Sequence, residues 1–86
     1  MYSLDWLHSA LDELHALWGV ADASQQAALE WAIMDLDYNL ARDPHNEGES
    51  RSGNYRVAFS WTLAILFTVD DSRGLAQVHH AWTCRR

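Results

Sequence analysis

Six arginines, five histidines and twelve side-chain carboxylates are the groups of this 86-residue chain that could do chemistry, and no lysine stands beside them. Every fixed positive charge is therefore a guanidinium, the group suited to planar, bidentate contacts with carboxylate or phosphate. Arg51, Arg56, Arg85 and Arg86 form the strongest set, two at the start of an apolar C-terminal region and two at its end. Their spacing alone leaves open whether they converge on one patch. His79-His80 is the most tempting pair. Adjacent side chains on a strand point to opposite faces, so these imidazoles cannot chelate one ion. One of them faces the helices and the other solvent, and His80 joins the candidate binding residues. His8 and His15 are two helical turns apart and share a face without chelating distance. Asp12-Glu13, Asp35 with Asp37, and Asp70-Asp71 read as solvated faces and turns rather than general acids. Trp61 falls in a break between two apolar runs, where an indole is costly to expose unless something covers it. There is no Gly-rich phosphate loop, nucleophile elbow or HExxH sequence. Neither a metal nor a cofactor is expected.

The charges are unevenly placed. Residues 1–50 hold ten acids against Arg42 alone, a balance of −9, whereas residues 51–86 hold five Arg against Asp70 and Asp71, a balance of +3. An acidic half joined to a basic half suggests two faces with different partners. The net −6 and pI near 5.1 disfavour nucleic acid at long range. Residues 1–86 are expected to form a single domain, with 49% hydrophobic residues available for its core. Cys84 has no partner in the chain, which fits a reducing compartment. The N-terminus lacks the basic start and long apolar stretch of a signal peptide, and the run Leu63 to Phe67 is too short to span a bilayer. A soluble cytoplasmic protein without membrane contact is the expectation.

These side chains must be positioned by two kinds of element. Tyr2, Leu4 and Trp6 alternate with Ser3 and Asp5, the period of a short strand. Leu7, Leu11, Leu14 and Trp18 then mark one face of a helix, with Gly19 at its end. Asp22 or Ser24 can cap a second helix, Asp22 with Gln25 having the spacing of a capping box, and the stripe of that helix is Leu29, Ile33, Leu36 and Leu40. Pro44 stops it. The polar stretch from Asp43 to Asn54 is the longest loop. Three strand-length runs follow: Tyr55, Val57 and Phe59 alternating with Arg56, Ala58 and Ser60; Leu63 to Val69, apolar on both faces as a central strand should be; and a last run lined by Ala76, Val78 and Trp82. Asp70 to Gly74 is a turn. A three-stranded meander needs a layer on its apolar face, and the helices are the only candidate. The predicted core is Leu11, Leu14, Leu29, Ile33, Leu36, Val57, Ile65, Phe67 and Val78.

In this order the chain resembles the RelE/ParE superfamily of toxins from bacterial toxin–antitoxin pairs. YSLDW leads into ALDELHALW, a second helix ends in LARDP, and GESRSGNYRV enters the sheet. LAILFTVDDSRGLAQVHHAW resembles the family's strand–turn–strand with an acidic turn and a terminal aromatic, followed by basic residues. The resemblance covers nearly the whole chain. It implies an α+β fold of order β-α-α-β-β-β, with two N-terminal helices packed on a twisted antiparallel sheet that the first strand joins.

Two activities follow from the resemblance. RelE-like members cut messenger RNA on the ribosome with basic side chains and no metal, and Arg56 and Arg85 best match the positions used for RNA contact. His79 or His80 would then serve as the acid. ParE-like members bind DNA gyrase and cut nothing. An antitoxin restrains both. The nuclease pattern is incomplete here: Leu63-Ala64-Ile65 stands where a Tyr-Arg-Val often opens the central strand, and no tyrosine follows Val78. The expectation is a toxin-like protein that binds a protein target through Arg51, Arg56, Trp61, His80, Arg85 and Arg86. Its expected partners are an antitoxin, a second copy of the chain, and gyrase or a ribosome–mRNA complex. The alternatives are a ribosome-dependent endoribonuclease, with Arg56 and Arg85 catalytic, and a non-toxic interaction module.

Overall fold

Alternation near the N-terminus becomes β1 (Ser3–Trp6), and the two apolar stripes become α1 (His8–Val20) and α2 (Ala23–Arg42) in a computed structural model that describes residues 1–83. α1 runs through Gly19, and the Ala21 N–H closes its last turn on the Trp18 carbonyl at 3.2 Å. α2 opens on the expected capping box: Asp22 Oδ1 accepts from the Gln25 N–H, and Gln25 Oε1 accepts from the Asp22 N–H, both at 2.8 Å. It ends at Arg42, before Asp43 and the 3-10 turn Pro44–Asn46.

The polar loop is more ordered than its composition suggests. It contributes a two-residue strand, β2 (Glu49–Ser50), ahead of β3 (Arg56–Ser60), β4 (Leu63–Asp70) and β5 (Leu75–Thr83). The sheet order is β1-β5-β4-β3-β2. β1 runs parallel to β5 and the other pairs are antiparallel, so the sheet is mixed, with β4 central. Gly48 brings β2 against β3. Its φ is +68°, and a Cβ there would lie 1.9 Å from the Val57 carbonyl oxygen, so only glycine fits.

Both helices cover one face. Ala10, Leu29, Ala32, Leu36 and Leu40 pack against Ala58, Leu63, Ile65, Phe67, Val78 and Ala81, with Leu4, Trp6, Leu14 and Ile33 at the margin. Leu11 is half-buried. Val57 departs from its expected place. Ala58, paired with Ile65, faces the helices, whereas Val57, paired with Leu66, is half-buried on the opposite face. Ala58 and Ser60 share the helix side of β3 with Arg56, and Val57 and Phe59 turn away.

β5 carries a second departure. The register with β4 shifts between Leu66 and Phe67, which pair with His80 and Val78 and leave His79 as the extra residue. One inserted residue moves every later side chain to the other face. Ala81 therefore enters the core, and Trp82, expected beside Ala76 and Val78, is exposed.

α1 also completes an edge. β1 pairs β5 only as far as Val78. Beyond it, the Leu7 N–H donates to the Val78 carbonyl at 3.0 Å, Ser9 Oγ to the His79 carbonyl at 2.7 Å, and the Ala81 N–H to Glu13 Oε1 at 3.3 Å. The backbone at the start of α1 and two of its side chains thus satisfy strand groups that would otherwise template another chain.

Candidate functional site

Among the described residues, no layer covers the sheet face away from the helices, and its side chains follow from the register. One cross-strand row is Phe59, Ala64 and Trp82. Ala64 is buried between its neighbours, Phe59 is 62% exposed and Trp82 is 40% exposed. The next row sets Val57 beside Leu66, and further along Thr68 lies beside Gln77. His79 joins this face: its Nε2 is 2.8 Å from Thr68 Oγ1, and its ring meets Tyr55 edge-on with centroids 5.3 Å apart. Partial burial, then the nearby His80, holds the His79 pKa below its usual value.

Among the described residues, strand charges on the open face are acidic. Glu49 pairs with Val57, Asp5 with Gln77 and Asp70 with Leu75. Among the described strands, Arg56 is the one arginine, and its register partner Phe67 belongs to the core under the helices. Its guanidinium is directed at the loop before it. Nε donates to the Glu47 carbonyl at 3.1 Å, Nη1 to Ser50 Oγ at 2.8 Å and Nη2 to the Gly48 carbonyl at 3.2 Å. Arg51 meets the same loop, donating from Nη1 to the Ser50 carbonyl at 3.3 Å and pairing with Glu49 Oε2 at 3.2 Å. Ser50 thus brings Arg51 and Arg56 together, as a clasp.

The remaining expected site residues are scattered. Trp61, half exposed, sits in the two-residue turn between β3 and β4. His80 lies with Nδ1 2.9 Å from Glu13 Oε1 on α1. The adjacent histidines therefore reach different elements. Arg85 and Arg86, with Cys84, lie outside the described residues. Among the described residues, no three His, Cys, Asp or Glu converge as a metal site would require, and no helix is long and apolar enough to cross a membrane.

A polar cluster escaped the sequence reading. Asp71, in the turn between β4 and β5, accepts from the Tyr2 hydroxyl and lies 2.7 Å from His45 Nε2. The Tyr2 hydrogen bond, then the one from His45, holds the Asp71 pKa below its usual value, and the same contact raises that of Tyr2. His45 and Asp71 border a depression of about 420 Å³ that Ser50, Tyr55 and Arg56 also line. A carboxylate-oriented imidazole can move protons. Arg56, the cation beside it, points its donors at the loop. Nothing in the sequence links residues 2, 45 and 71, whereas Phe59 and Trp82 were legible as large apolar residues with the wrong face assigned.

The architecture matches solved toxins. A chain of the ParDE toxin–antitoxin system from P. aeruginosa superposes with a TM-score of 0.72 at 17% identity, covering 99% of this chain and 98% of that one. The isolated E. coli RelE toxin gives 0.69 at 18% identity, covering 100% and 87%. The RelBE2 toxin–antitoxin complex from Mycobacterium tuberculosis gives 0.69 at 17%, covering 95% and 90%. At these identities the likeness is one of fold: this chain has the RelE/ParE toxin fold. No family model matches the sequence, and no curated protein does.

Proposed function

We propose that this chain is the toxin-like component of a toxin–antitoxin pair, that it acts by holding a protein target, and that an antitoxin neutralises it. The observation that carries the reading is the uncovered row Phe59–Ala64–Trp82 on the open sheet face. Aromatic side chains around a small flat residue suit burial against another protein. Phosphoryl chemistry asks for preorganised cations where charge develops. Among the described residues the strand charges on the open face are Asp5, Glu49 and Asp70, and Arg56 is directed at its own loop. The resemblance of the sequence to ParE-like members makes DNA gyrase the first target to test. Trp61, at the tip of the β3–β4 hairpin, extends the apolar surface that the target or the antitoxin would cover.

One observation favours a second reading. The His45–Asp71 pair beside Arg56 resembles the start of an acid–base site for RNA cleavage on the ribosome. Induction of the chain in a bacterial host, followed by primer extension on its messages, separates the readings. Growth arrest with intact messages supports the protein-binding toxin. Arrest with cleaved messages supports the nuclease, and no arrest leaves a non-toxic interaction module.

A further inference from the structure

The outer side of α2 repeats an apolar pattern that the fold does not use. Ala27, Trp31, Met34, Tyr38 and Ala41 recur at intervals of four, three, four and three residues, the spacing of one helical seam. The inner stripe of the same helix, Leu29, Ala32, Leu36 and Leu40, is fully buried. The outer one is in solvent: Trp31 is 73% exposed, Met34 65% and Tyr38 62%. A shallow depression of about 450 Å³ lies over its C-terminal half, lined by Met1, Met34, Asp37, Tyr38, Ala41 and Arg42. Arg42 holds Tyr38 in place, with Cζ 5.2 Å from the ring centroid and Nη1 3.4 Å from the hydroxyl. Trp and Tyr are the commonest anchors of protein interfaces, and Met adapts to what it meets.

We propose that this α2 stripe is a docking surface for a basic amphipathic helix of a partner protein. Its shape asks for an elongated apolar ridge, as one helix offers another. Its charge selects the partner. Glu30, Asp35 and Asp37 are exposed on the same helix, with Arg42 as its one base, and they sit in the half of the chain whose balance is −9. A second copy of this chain is disfavoured as occupant. It would bring its own Glu30, Asp35 and Asp37 against these, with −6 on each molecule. A partner carrying Arg or Lys beside its apolar stripe meets the acids with opposite charge. The surface lies across the helices from the open sheet face, and the proposal does not depend on toxicity.

Calorimetric titration of the full chain with synthetic helical peptides of about 20 residues, long enough to follow α2, tests this. One peptide carries a Leu stripe flanked by Arg and Lys, one the same stripe flanked by Glu, and one the basic composition scrambled. The basic amphipathic peptide should bind saturably and the other two at least about tenfold more weakly. Trp31→Ala or Tyr38→Ala should weaken it by about tenfold or more, and Asp37→Asn should reduce its dependence on salt, with circular dichroism unchanged. Absence of saturable binding would overturn the proposal, as would equal binding of the scrambled peptide or indifference to Trp31→Ala. Sedimentation showing a dimer that Trp31→Ala converts to monomer would overturn it in favour of a second copy.

Discussion

Arg56 donates from Nη2 to the Gly48 carbonyl at 3.2 Å, so the guanidinium that could best meet a phosphate holds its own loop against the sheet. Its other donors reach Glu47 and Ser50. Arg56→Ala should therefore act first on structure. Three charge-assisted hydrogen bonds, of which only the one to the Glu47 carbonyl is part-buried, contribute about 1–3 kcal/mol in sum. The expected outcome is a lower midpoint of denaturant unfolding and faster proteolysis between residues 47 and 55, both restored in part by Arg56→Lys.

Gly48→Ala should be more severe than its size suggests. The left-handed backbone alone costs about 1–2 kcal/mol for an alanine, and its Cβ would overlap the Val57 carbonyl. β2 should detach, which amide exchange at Val57 and its neighbours would report. Gly53→Ala, at a positive φ but with open space around it, should cost less.

Asp71 should make stability pH-dependent at both ends of the scale. Its folded pKa lies below the ordinary 3.8, so its contribution is complete above that value and is lost as pH falls through the folded value. Tyr2 lies above its ordinary 10.0, so its contribution is complete below that value and is lost as pH rises through the folded one. Unfolding followed against pH should show both slopes, and Asp71→Asn should flatten the acid one. Tyr2→Phe should remove the alkaline one.

Leu36 and Phe67 are fully buried between the layers, and truncating either to Ala should cost about 2–5 kcal/mol by chemical denaturation. Phe59→Ala, on the open face, should cost much less.

Local rules explain what was legible in the sequence. The capping box at Asp22 and Gln25, the stop before Pro44 and the doubly apolar run of β4 each depend on residues a few positions apart. The acidic turn joining β4 to β5 was equally clear. What failed depends on partners distant in sequence. On β3 the alternation offers two faces, and only the seating of α2 over Ala58 decides between them. On β5 the extra residue at His79 reverses the faces beyond it, so Trp82 emerges where alternation would bury it. The arginines were recognisable as a set. That Ser50 would gather Arg51 and Arg56 into a clasp required the chain to return through β2, a strand of two residues hidden in a polar loop.

Incubation of the purified chain with message-programmed ribosomes, read by primer extension beside a gyrase-inhibition assay, separates a protein-binding toxin from a nuclease. Messages should stay intact, and a protein target should be inhibited in a way that Phe59→Asp or Trp82→Asp abolishes while the circular dichroism stays unchanged. Cleavage of the message, lost in Arg56→Lys or Arg85→Ala with the fold intact, would contradict the protein-binding reading.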